Sequence, residues 1–322
     1  MATTDIRSEF AYDDLLSLWS DLESGLGVIL SSPASSQEFT LRVRQYDRWM
    51  QSLLQRDPDV GLYLLFQLAS NSPVGYSASH ALVCAVLCHL IASELGIAQA
   101  ERDSLVHAAL TMNIAMTGMQ DVLANQTEKP TSEQQGMIRT HPVKGAQMLS
   151  TLGVTDALWL DIIARHHEDA IDKADLRQAP PATRLTRILK VVDRYAAMIS
   201  PRISRAGRSA TESARSILAN KNDEVGHALV RVIGLCPPGT YVRLDNDELA
   251  VVLRRGAQHN FPYVGIFGSV NGQFIPNPRL HSTADGGPQI QAALAAASVR
   301  ARLNHYHMLQ LGSHAGQAPT QQ

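Results

Sequence analysis

Cysteine is scarce: Cys84, Cys88 and Cys236 are the three in 322 residues. So sparse and odd a set excludes a disulfide framework and fits a reducing compartment, which reads as cytoplasmic. Charge of one sign is lacking as well. Lysine and arginine number 28 against 30 acidic residues, a formal net charge of −2, which leaves no global field for holding a nucleic acid. Long hydrophobic runs are missing too: the most apolar stretches meet polar residues before the roughly 18 needed to span a bilayer. The opening MATTDIRSEFAYDD has no basic stretch followed by an apolar one, so neither secretion nor a membrane partner is expected. No internal repeat occurs, and no receiver, sensor or Gly-rich nucleotide loop is expected ahead of residue 72.

What the chain does contain is the composition of an ordinary folded protein, 45% apolar and 18% charged, at a length that predicts two or three units. Apolar residues recur at helical spacing from Tyr12 to Leu30 and from Glu38 to Arg56, with Pro33 in the break between them. A third apolar segment, Val60 to Leu68, stops at Asn71-Ser72-Pro73. SASHALVCAVLCHLIASEL, Ser77 to Leu95, reads as a buried helix closed by Gly96, with Cys84 and Cys88 as small thiols on its core stripe. Further helices are predicted near 101–116, 132–150, 155–168, 182–200 and 211–234, the second of them opened by a capping box at Thr131 and Gln134.

Beyond Cys236-Pro237-Pro238-Gly239 the pattern turns to short alternating runs, TYVRL, ELAVVL and YVGIF, with turn signals at Asn246-Asp247 and Asn271-Gly272. Arg254-Arg255 read as ordinary protection at the end of an edge hairpin. From about Asp285 the chain is alanine-rich and then polar, which reads as one loose helix and a frayed tail. The fold expected is mainly α: an N-terminal helical region (1–71), a helical bundle (72–235), a small β subdomain (236–284) and a helical or disordered tail (285–322).

Several histidines occupy inward positions. His80 lies on the apolar helix of 77–95, and His141 precedes a proline, at an expected helix kink, in RTHPVKGAQML. His166, in His166-His167-Glu168, shares a helix face with Trp159, Ile162 and Ile163 by its spacing. Asp193 stands among Leu189, Val192 and Ala196 on a side that should face the core, where a bare carboxylate is costly without a cation or donor to meet it; Arg194 is one candidate partner. One histidine on an apolar face is more often a hydrogen-bonded core residue than a ligand. Imidazoles and a carboxylate converging from four helices are what Fe, Mn or Zn sites use.

In series, His80, AALTMNIAM (108–116), HPVKGAQML (141–149), HHE (166–168) and ILKVVDRYAAMIS (188–200) resemble the HD-GYP branch of the HD-domain phosphohydrolases from Ser72 to Arg208. The PPGTYVRL and ELAVV wording of the β subdomain resembles the extension that follows many such bundles. The resemblance implies an HD-domain helical bundle holding two or three metals, often iron or manganese, whose bridging hydroxide attacks a phosphodiester of cyclic di-GMP or a related dinucleotide. Carried over position by position, it implies metal ligands at His80, His141, His166, His167 and Asp193, and phosphate-binding guanidinium groups at Arg202 and Arg205.

The departures are equally specific. Where the family's usual wording has a His-Asp pair, this chain has Met112-Asn113, followed by Ala115 and Met116 in place of glycine and lysine. Asparagine is neutral and does not bridge two cations as aspartate does. After Glu168 the chain reads DAIDKADLRQAPP, with no Gly-Tyr-Pro loop. The expected protein is therefore a degenerate member of the family in cyclic-dinucleotide-type signalling. It would not hydrolyse cyclic di-GMP by the two-metal route, and would act through a protein partner or a nucleotide ligand. Two alternatives stand beside it: a phosphohydrolase working from one divalent ion, Fe, Mn or Zn, held by the surviving histidines, and an interaction scaffold like the related HDOD domains, with partner surfaces on the β subdomain and on the N-terminal helices that carry Trp19 and Trp49.

Overall fold

The computed structural model describes residues 6–71, 74–173, 178–204, 207–220, 223–258, 260–269, 273–299 and 302–317. Three helices lead: α1 (Ile6–Ser31), α2 (Phe39–Arg56) and α3 (Pro58–Asn71). The bundle follows with α4 (Tyr76–Glu94), α5 (Gln99–Thr111), α6 (Thr117–Asn125), α7 (Ser132–Thr151), α8 (Ala157–Arg165), α9 (Pro181–Ile199), α10 (Ala210–Leu218) and α11 (Glu224–Ile233). A C-terminal antiparallel sheet comprises β1 (Tyr241–Leu244), β2 (Leu249–Arg254), β3 (Tyr263–Gly268), β4 (Phe274–Ser282) and β5 (Ile290–Ala293), and α12 (His305–Gln317) closes the chain. The fold is mainly α with a small C-terminal sheet, as expected.

α4 is the centre of the bundle. Apolar on every side, it packs against α1, α3, α5, α6, α9 and α11, and a helix without a polar face must be covered all round. Among the described residues it is also the helix long and apolar enough to cross a bilayer, and most of it is buried inside the protein. α9 presents Leu185, Ile188, Leu189, Val192 and Ala196 to this core, which places Asp193 beside it. The capping box at Thr131 and Gln134 starts α7, and Asp156 starts α8 by accepting the Leu158 and Trp159 N–H groups. Ser104 of α5 donates to the other oxygen of Asp156 at 2.7 Å, tying that start to the bundle.

Four local expectations are corrected. The helix predicted near 211–234 is two, α10 and α11, the second opening after Asp223, whose backbone is extended at ψ 93°. The helix predicted over 101–116 ends at Thr111; a 3-10 turn (Ile114–Met116) and α6 follow, because Asn113 leaves helical geometry at ψ 13° and its carbonyl instead takes the Met116 N–H. The stretch after Asp285 holds strand β5, which pairs with β1, before α12 begins. Arg254 ends β2, an inner strand between β1 and β3, and it and the following Arg255 reach the start of α3 rather than guarding an edge: Arg254 Nη1 lies 2.7 Å from Asp57, just before α3, and Arg255 Nε 2.5 Å from Asp59 within it.

The strand alternation divides the sheet cleanly. Tyr241, Val251, Leu253 and Phe267 join the main core, with Met308 and Leu309 of α12, while Val242, Leu244, Ala250, Val252, Val264 and Ile266 form a separate small core on the other face. The Asn246-Asp247 turn joins β1 to β2, with Asp247 at φ 65°. The Asn271-Gly272 signal lies outside the described residues.

Candidate metal centre

His141, His166 and His167 come together, with one ligating atom of each within 4.8 Å of the others. Their orientation is set by two interruptions of helical hydrogen bonding. Pro142 has no N–H, so the carbonyl of Ile138, four residues earlier in α7, loses its helical donor. His141 supplies the replacement, its Nδ1–H donating to that carbonyl at 2.7 Å. α8 ends at Arg165, which frees the carbonyl of Ile163, and His166 Nδ1–H donates to it at 2.7 Å. With both Nδ1 protons so engaged, both Nε2 atoms carry lone pairs, and these face each other 3.2 Å apart.

Two bare lone pairs at that separation need a cation between them. Two nitrogens about 2.1 Å from one ion at a tetrahedral angle lie about 3.4 Å apart, so the donor set fits a metal. Burial depresses both imidazoles, to about 4 for His141 and about 3 for His166, and so keeps them neutral, as ligands must be. His141 and His166 are buried while His167 is exposed, so the group is open on one side.

His80 and Asp193 meet next to this trio. His80 Nε2–H donates to Asp193 Oδ1 at 2.8 Å, so the carboxylate's partner is His80, and Arg194 is exposed. Burial raises the Asp193 carboxyl, but the hydrogen bond from His80 and the neighbouring imidazoles of His80, His166 and His167 together outweigh it and hold the group well below the usual carboxylate range. Tyr76 stacks on His80 with centroids 5.4 Å apart, and Arg202 lies over the Tyr76 ring and donates to its hydroxyl at 3.0 Å. Arg202 is thus anchored to the ring that stacks on His80; Arg205 lies outside the described residues.

The turn that follows Asn113, Ile114–Met116, packs against α7, and an added Cβ at Gly145, one turn after His141, would make ordinary contact with the Met112 carbonyl oxygen at 3.7 Å. Asn113 is half-buried there. Two residues escaped the sequence reading. Tyr76 sits one turn before His80, a spacing that marks the same helix face but carries no signal for an aromatic stack. Lys190, three residues before Asp193, donates to the Glu168 carbonyl at 2.9 Å and so closes the end of the HHE segment. Glu168 itself points to Arg165, at 2.8 Å, and takes no part in the group.

A family model described as the HD domain matches residues 64–229. A cyclic di-GMP phosphodiesterase of Pseudomonas aeruginosa, PA4108, is 29% identical over 214 residues, which are 63% of this chain and 50% of that protein. The chain therefore spans about half the length of this curated relative. Among solved structures, Bd1817, a HDG"Y"P protein from Bdellovibrio bacteriovorus, is similar with a TM-score of 0.49 and 13% identity over 72% of this chain and 74% of that one. HD domains are typically metal-dependent, which accords with the grouped histidines. The matched segment is half of the chain and holds all four histidines and the carboxylate of the centre: this protein belongs to the HD-domain family.

Proposed function

We propose that this chain is a cytoplasmic signalling protein of the cyclic-dinucleotide type that holds one divalent metal on His141, His166 and His167. It does not hydrolyse cyclic di-GMP by the two-metal route, and it acts by binding a nucleotide or a protein partner. The observation that carries this reading is the convergence of three imidazoles; the resemblance assigns neutral Asn113 to the position where a shared carboxylate would be needed to hold two cations together. Arg202, held by Tyr76, and Arg205 would meet phosphate oxygens.

The exposure of His167 favours a second reading, in which the open side of a single ion admits water and a phosphoester and slow hydrolysis remains. Elemental analysis of the full chain purified without chelators is expected to find iron, manganese or zinc, with about one equivalent fewer in His141→Ala. Cyclic di-GMP incubated with the loaded protein is expected to remain intact. Metal-dependent cleavage of it, or of a generic phosphodiester, that disappears in His141→Ala would replace the first reading with the second. Absence of metal from both proteins would overturn both.

A further inference from the structure

Apart from the three histidines, one more cluster of ligating atoms exists among the described residues: His80, Cys84 and Asp193, whose Nε2, Sγ and carboxylate oxygen lie within 4.8 Å of one another. Cys84 follows His80 by one turn of α4, so both side chains leave the helix on one side. Its Sγ lies 3.7 Å from His80 Nε2, and Asp193 Oδ1 lies 2.8 Å from the same nitrogen. An ion bound at about 2.0 Å by nitrogen and about 2.3 Å by thiolate, at a tetrahedral angle, holds those two atoms about 3.6 Å apart. The His-Cys pair already has that spacing, and the carboxylate needs to retreat from the imidazole by only about half an ångström.

Charge separates this cluster from its neighbour. Three neutral imidazoles bring no negative charge to a buried dication, whereas a thiolate and a carboxylate together offset it fully. We infer that His80, Cys84 and Asp193 form a thiolate-containing cation site, suited to a thiophilic dication such as zinc rather than to manganese, in which Cys84 supplies negative charge that neutral Asn113 does not.

Binding at this site balances simply. His80 moves its ring proton from Nε2 to Nδ1, the Cys84 thiol proton leaves to solvent, and bonds from nitrogen, sulfur and oxygen to the ion form. His80 Nδ1 is buried with no hydrogen-bond partner, so the tautomer shift breaks no bond at that nitrogen. Burial, and then the nearby Asp193 charge, hold the metal-free thiol well above its ordinary pKa; only a cation draws the proton off, since a coordinated thiol is deprotonated outright. Cys88, one turn further along α4 and equally buried, is not part of the cluster and serves as the internal control.

The test is cobalt(II) substitution of the full chain, read by the sulfur-to-cobalt charge-transfer absorption in the near ultraviolet. The band is expected in the wild-type protein, in Cys88→Ser, in Cys236→Ser and in His141→Ala, and is expected to vanish in Cys84→Ser. Retention in His141→Ala makes this site's success or failure separable from that of the three-histidine centre. X-ray absorption of the zinc-loaded wild-type chain gives a second reading that needs no variant to fold, with a sulfur neighbour expected about 2.3 Å from zinc. Failure to bind cobalt, bound cobalt without the band, a band that survives Cys84→Ser, or zinc without a sulfur neighbour would each overturn the inference.

Discussion

His141 and His166 carry the clearest consequence at the scale of single residues. Both imidazoles are depressed by burial, so each binds fewer protons folded than unfolded between the ordinary histidine pKa near 6.5 and its own value of about 4 or about 3. Metal-free protein should therefore hold its full stability above pH ~6.5 and lose on the order of 3 kcal/mol for one such histidine as the pH falls towards 4. Urea denaturation of the chelator-treated protein across that range measures this, and a midpoint that does not move would mean that neither ring is neutral and buried. The identities of these residues were legible in the sequence because imidazoles and a carboxylate on apolar helix faces conflict with their surroundings. The Tyr76 stack was not, since an aromatic residue at the start of an apolar helix conflicts with nothing. The partner of Asp193 was legible only as a need: its sequence neighbour Arg194 points to solvent, and the donor is His80, 113 residues away.

At the scale of elements, Pro142 does what its side chain alone does not suggest. A proline inside a helix removes a hydrogen bond, and here the carbonyl it strands is the one that pins His141. Replacing Pro142 with alanine restores a backbone N–H that competes with the imidazole for the Ile138 carbonyl. The variant should be more resistant to urea by about 1 kcal/mol or more, while its metal affinity in a chelator competition falls by roughly 10- to 100-fold, the usual effect of losing a partner that orients a ligand. Unchanged affinity would show that the carbonyl does not orient the ring. Helix positions were readable throughout this region from apolar periodicity, and the capping box at Thr131 fixed one start. The end of α5 was not, because Thr111-Met112-Asn113 contains no glycine or proline to mark it. Strand β5 was missed for a related reason: Ile290-Gln291-Ala292-Ala293 favours no strand on its own, and pairing with β1 decides its state.

For the whole molecule, the sheet is fastened to the first helices by contacts far apart in sequence. Arg254 and Arg255 pair with Asp57 and Asp59, Gln67 donates to the Gly239 carbonyl at 2.7 Å, and the Tyr241 hydroxyl donates to Gln67. Such links leave no local trace in the sequence, and one main core runs from Leu15 to Leu309. Trp19, carried by one of the N-terminal helices expected to offer partner surfaces, itself lies inside that core. Gly239 is the tightest point of the junction: its φ is 89°, and an added Cβ would stand 2.6 Å from the Tyr63 carbonyl oxygen. Gly239→Ala should lower unfolding stability by on the order of 1–3 kcal/mol and leave a single cooperative transition, whereas an early separate transition would mean that the sheet folds independently. The same continuity governs traffic at the histidines. α4 closes off the inner side of the molecule behind His80, and His167 is the exposed member of its trio. An ion held by the trio would therefore enter and leave past His167, and its residence time against a chelator should change with His167→Ala but stay level in variants that merely make the fold easier or harder to unfold.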